Sequence, residues 1–155
     1  MAIAEDLATT ETATALAAKI LRKEISPSEA VDAAIARIET HNRKINALTI
    51  FGFDDARKAA KAATAAIMRG DKVGPLHGVP IAIKDNFDYK PGWVTTFGGV
   101  RALKDYVANT YCLFAERMEK AGAIIVGKTN SPVFGFRGTC DNYLFGPSKN
   151  PFDPT

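Results

Sequence analysis

Two short apolar runs, GVPIAI (78–83) and AIIV (123–126), each lie behind a segment whose apolar residues recur at helical spacing. That order restricts the fold. Strands buried on both faces need helices to cover them, so the sequence predicts an α/β fold with helices packed around a mixed β-sheet.

The helices announce themselves. Residues 11–24 are rich in helix formers, with Leu16, Ile20 and Leu21 near one face. SPSE follows: Ser26 is a candidate N-cap, Pro27 suits the first helical position, and Glu29 can reach back to complete a capping box. Val31, Ala34, Ile35 and Ile38 then recur at helical spacing and predict a helix over 27–41, with His41 in its last turn. ALTIF (47–51) reads as a strand. Asp54 or Asp55 opens a third helix, alanine-rich through Met68, which Gly70 stops. Tyr111, Phe114, Ala115, Met118 and Ala121 mark a fourth, ending at Gly122. Residues 90–100, and the chain after AIIV, read as loops because glycine and proline punctuate them.

Composition narrows the class. At 155 residues, 46% hydrophobic and 24% charged, the chain resembles one globular domain or a piece of a larger one. A net charge of +3 with interspersed acids gives no nucleic-acid patch. Cys112 and Cys140 form no metal spacing and read as reduced thiols. The N-terminus lacks a basic n-region, and no apolar run approaches the roughly 18 residues that span a bilayer. A cytoplasmic protein with no membrane partner is the expectation.

Two lysines sit in suggestive places. Gly122–Thr129 satisfies GxxxxGK[ST], the pattern of a phosphate-binding loop. Such a loop needs a strand before it and a helix starting at Lys-Thr. Here a helix precedes, the intervening residues are themselves β-branched, and Asn130-Ser131-Pro132 discourages a helix, so the match is read as accidental. Lys84, in GVPIAIKDNF, stands at the end of a strand that reads as buried. A desolvated lysine there can act as a base, its pKa lowered from about 10.4 toward roughly 7–8. It can equally snorkel to solvent or pair with Asp85.

The flanking segments add context. GPLHGVPIAIKDNF, TTFGG, AGAIIVGKTNSPVFGF and DNYLFGPSKNP occur in the order found in the amidase signature family of serine hydrolases, which the chain resembles over nearly its whole length. The resemblance implies an amidase-signature-like α/β fold and an amidohydrolase cleaving a carboxamide C–N bond without cofactor or metal. It makes Lys84 the base of a Ser–cis-Ser–Lys triad, relaying a proton through one serine from the serine that attacks the carbonyl. The family's glycine- and serine-rich signature is expected beyond NPFDPT. Both serines would then lie beyond Thr155, leaving residues 1–155 an N-terminal fragment of a single larger domain and inactive alone. Of the serines present, Ser26 and Ser28 belong to a helix start, Ser148 to a turn, and Ser131 matches neither family serine.

Other residues are candidates with local alternatives. Thr96 and Asn130 are candidate substrate-binding residues, or turn residues. Asp85 and Asn86 can orient Lys84 from a second layer, or cap the turn out of the strand. Many family members carry Glu where this chain has Val133, a departure that fits poorly with the amidotransferase branch. The competing functions are an amidotransferase-type subunit or non-catalytic module, and a Schiff-base enzyme using Lys84 as nucleophile. The implied partner is a small-molecule amide, with a homo-oligomer of the full-length protein left open.

Overall fold

The computed structural model describes residues 11–154. The chain divides into two compact units. One holds the described residues to Thr40 with Gly52–Ile81 and Arg117–Val126, and the other holds His41–Phe51, Ala82–Glu116 and the chain from Gly127 onward.

Helix α1 (Ala13–Leu21) starts at Thr12, whose hydroxyl accepts from Ala15 N at 3.2 Å, and it buries Ala17 and Ile20. Helix α2 (Pro27–Ile45) opens with the expected reciprocal cap. Ser26 Oγ accepts from Glu29 N at 3.1 Å, and Glu29 Oε2 accepts from Ser26 N at 2.8 Å. This satisfies two of the amides that a helix start leaves orphaned. The helix outruns the predicted end at residue 41, so His41 lies before the last turn, which carries Arg43 and Lys44. The reason is Asn42. Its side chain accepts from Ala47 N and Leu48 N and donates to Leu48 O, all within 2.9 Å, so the turn into the next strand is built on a residue still in the helix. Asn46, at φ +51°, makes that left-handed turn, a conformation asparagine tolerates.

Strand β1 (Leu48–Phe51) leads to α3 (Phe53–Arg69), which carries Asp54 and Asp55 in its first turn and stops at left-handed Gly70. In the first unit Val31 and Ile35 of α2 and Ala56 and Ala60 of α3 form a core with Ile124 and Val126. Full burial of each such branched side chain contributes about 1.5–3 kcal/mol. The alanines add little area but let the helix lie close.

Strand β2 (Pro80–Lys84), helix α4 (Leu113–Lys120) and strand β3 (Ile124–Thr129) follow. Helix α4 begins two residues after Tyr111, with Cys112 at its cap, where Sγ accepts from Ala115 N at 3.3 Å. The strand order is β1-β3-β2. Strand β1 runs antiparallel to β3, Ile50 opposite Lys128 and Phe51 opposite Gly127. On the other side Ile124 N donates to Val79 O and Asp85 N to Thr129 O, so both chains advance together and the sheet is mixed. Central β3 is buried from Ile124 through Lys128, as expected of a strand covered on both faces. Strand β2 is not: only Ile83 is buried, and Ala82 and Lys84 are exposed. Its apolar spelling reads more buried than the strand is, because an edge strand is covered less than its neighbour.

Candidate active site

The site lies within the second unit, where the end of β2, the end of β3 and the loop 94–99 carry its polar residues. Lys84 closes β2 with its side chain exposed. Its backbone is held firmly: Lys84 N donates to Asp88 Oδ2 at 3.0 Å, Asn86 N donates to Lys84 O at 2.9 Å, and Asp85 N donates to Thr129 O at 3.0 Å.

The next residue turns inward. Asp85 is 1% exposed, and its carboxylate meets Lys128 Nζ at 3.0 Å; Lys128 is 0% exposed. The ammonium also donates to Thr95 Oγ1 at 2.7 Å and to Val94 O at 3.2 Å. An ammonium has three protons, and this one has three acceptors. Asp85 is equally well supplied. Thr96 N donates to Oδ1 at 3.0 Å and Thr96 Oγ1 donates to Oδ2, while Gly99 N donates to the same hydroxyl at 2.8 Å. Burial pushes the Lys128 ammonium below the ordinary lysine range, and the charge and hydrogen bond of Asp85 oppose that shift.

Lys128 is the lysine of the GxxxxGK[ST] match. Gly127, Lys128 and Thr129 continue β3 as a strand rather than forming an anion-binding turn, so the match is accidental, as the sequence indicates. Sequence reasoning nonetheless passed over this residue. Its signal is alternation: Ile124, Val126 and Lys128 share one face of β3, and the first two are core residues.

Of the other candidates, Thr96 is bonded to Asp85, whereas Asn130 is bonded to the loop 142–148 and to Ser131. Thr96 is buried, its hydroxyl committed to Asp85 and Gly99. Asn130 is buried after β3. Its Nδ2 donates to Gly146 O and Ser148 Oγ, and its Oδ1 accepts from Asn142 Nδ2 at 2.7 Å and Ser131 N at 3.0 Å. Asn130 thus ties the loop 142–148 to the strand end. Asn86 is 7% exposed, and its Oδ1 has no hydrogen-bond partner among the described residues. Ser131 is fully buried, with Oγ turned to Pro132 O at 3.1 Å.

An apolar wall stands beside these residues. The Phe97 ring lies 6.1 Å from that of Phe87 and 5.9 Å from that of Phe134. Phe97 (φ +53°) and Phe134 (φ +49°) are both left-handed, and Phe134 N donates to Phe97 O at 2.9 Å. Strained backbone of this kind persists only where surroundings impose it. A pocket of about 480 Å³ opens along Val133, Phe134, Phe136, Arg137, Asn142 and Tyr143. Among the described residues no cluster of His, Cys, Asp or Glu is arranged for a metal ion, and no helix is long and apolar enough to cross a membrane.

The chain as a whole matches known proteins. The family model described as Amidase matches residues 29–155. An indoleacetamide hydrolase from Bradyrhizobium diazoefficiens is 44% identical over 138 residues, 89% of this chain and 26% of that protein. A glutamyl-tRNA(Gln) amidotransferase subunit from Anaeromyxobacter is 40% identical over 136 residues, 88% of this chain and 27% of that one. Among solved structures, a bacterial aryl acylamidase of the amidase signature family superposes with a TM-score of 0.89 at 42% identity, over 92% of this chain and 30% of that chain. The chain therefore spans less than a third of the length of these relatives. It shares their fold over that length, and it belongs to the amidase signature family.

Proposed function

We propose that residues 1–155 are the N-terminal part of a larger amidase-like α/β domain whose parent protein hydrolyses carboxamides, with Lys84 as base. The observation that carries the reading is the contrast between two lysines at neighbouring strand ends. Lys128 is sealed in a buried ion pair, whereas Lys84 is exposed and its backbone is fixed on both sides. Lys84 is exposed among the described residues rather than desolvated as its apolar strand suggests, so its reading as base rests on an accessible amine and on membership of the family. The serine that relays the proton and the serine that attacks the amide lie beyond Thr155. The amine takes a proton through the first as the second bonds to the carbonyl carbon, and it returns that proton to the nitrogen as the C–N bond breaks; water, deprotonated by the same route, then displaces the serine from the acyl group and releases the acid. No cofactor enters.

Thr96 and Asn130 shape the substrate pocket through the loops they hold, and Asp85 and Asn86 support Lys84. The aromatic wall of Phe97 and Phe134 suits an amide bearing an aryl or acyl group, in keeping with the indoleacetamide and acylamide named for relatives. The setting is cytoplasmic.

Purified residues 1–155 should hydrolyse no amide, since neither serine is present. Turnover by that chain, free of contaminating amidase, would refute the proposal. Borohydride with a carbonyl substrate should leave no adduct on Lys84; an adduct there would favour a Schiff-base enzyme instead. A second reading, as part of an amidotransferase, draws on relatives such as the Anaeromyxobacter protein. It requires glutamine, ATP and a charged transfer RNA, so hydrolysis of simple amides by the parent without them decides against it.

A further inference from the structure

We propose that Lys128 is a positioning residue for Lys84, acting through its buried ion pair with Asp85. The inference rests on the assignment of Lys84 as base but concerns a residue that the assignment leaves out.

Lys84 ends β2 and Asp85 opens the turn that follows, so the two share one peptide plane, Lys84 exposed and Asp85 buried. Whatever fixes Asp85 therefore fixes the backbone from which Lys84 projects. Lys128 fixes it from central β3 by the Nζ–Oδ1 contact at 3.0 Å, and the backbone bond from Asp85 N to Thr129 O locks the same two strand ends one residue further on. The third side is the loop 94–96, which reaches Lys128 through Val94 O and Thr95 Oγ1 and reaches Asp85 through Thr96. A buried charge pair is a poor means of gaining stability, since apolar residues of similar volume serve about as well. It is a good means of fixing orientation, because it tolerates one geometry and an apolar contact tolerates several.

A proton relay is sensitive to such placement. A displacement of about 1 Å at a reacting group costs on the order of 100-fold in rate. The effect should fall more on the chemical step than on binding, because neither Lys128 nor Asp85 is among the residues lining the pocket at Val133–Tyr143, and the Thr96 backbone amide can still donate to an amide oxygen at position 85. The carboxylate in contact with Lys128 is that of Asp85, and Thr95 supplies a neutral acceptor.

The test compares variants of the parent protein on one amide. Lys128→Met with Asp85→Asn removes both charges without leaving either alone. We expect this double variant to fold, with kcat lowered about 100-fold and KM within about threefold of the unmodified value. Lys128→Arg, which keeps the charge pair, should recover at least about tenfold of that loss. A folded double variant with unchanged kcat, or a loss confined to KM, overturns the proposal. Should the double variant not accumulate folded, Thr95→Val carries the same test by removing one acceptor from Nζ. It should lower kcat at constant KM, and an unaltered kcat overturns the proposal. Lys84→Ala distinguishes the two levels. If it keeps activity, the assignment of the base fails; if it loses activity while the double variant does not, only the role of Lys128 fails.

Discussion

Lys84, the last residue of β2, and Lys128, the next to last of neighbouring β3, have opposite fates: the first is exposed, and the second is 0% exposed, held by Asp85, Thr95 and Val94. The difference follows from strand position. Lys128 sits on the central strand, on the face that Ile124 and Val126 bury, so its charge survives only with acceptors around it. Lys84 stands on an edge strand.

Breaking one half of that pair should be costly. Lys128→Met leaves the Asp85 carboxylate buried and uncompensated, which should destabilise the chain by about 3–5 kcal/mol. Neutralising both partners should cost much less. Urea titrations of the two single variants and the double variant check this, and a double variant as unstable as the singles would contradict it.

The cap on α2 predicts a pH dependence. Glu29 is held below its ordinary value of 4.5 chiefly by the backbone amide of Ser26, then by its hydroxyl. A depressed carboxylate contributes stability that is present above its unfolded pKa and lost as pH falls through the folded one. The difference in melting temperature between the chain and its Glu29→Gln variant should therefore shrink as pH falls below about 4.5. Ser26→Ala should cost about 1 kcal/mol at neutral pH, measured by denaturant melts.

Two glycines with the same backbone differ in their surroundings. A Cβ on Gly98 (φ +81°) would stand 2.2 Å from Pro132 O, whereas one on Gly92 (φ +80°) meets nothing within 4 Å. Gly92→Ala should cost only the left-handed penalty, about 1–2 kcal/mol. Gly98→Ala adds about 1–3 kcal/mol for the forced shift of the loop against Pro132. Equal melting temperatures for the two variants would show that the loop yields freely.

The second unit exposes Phe87, Tyr106, Leu113, Phe114, Phe134, Phe136 and Tyr143, each at least 45% accessible. So much apolar surface should make purified residues 1–155 associate with rising concentration. Light scattering should show a mean mass above that of one chain, and a monomer at high concentration would contradict this.

The sequence is most legible where local chemistry decides the structure. Ser26, Pro27 and Glu29 define the start of α2, and Gly70 the end of α3, because caps and left-handed turns depend on near neighbours. The end of α2 is less legible, since Asn42 keeps its turn helical by bonding to a strand further along. For the site, GVPIAIKDNF marks Lys84 but hides Lys128, whose importance rests on Asp85 and Thr95, residues 43 and 33 positions away. Such pairings are made by the sheet register. The phosphate-loop pattern even points to Lys128 for the wrong reason, as a ligand-binding group rather than a buried cation.

The central claim is that Lys84 is the base. The most direct test is kcat on a simple carboxamide for the parent protein and its Lys84→Ala variant, with circular dichroism confirming that both fold. The account predicts a loss of about 10²–10⁴-fold in kcat. A folded Lys84→Ala variant that keeps most of the activity would contradict it.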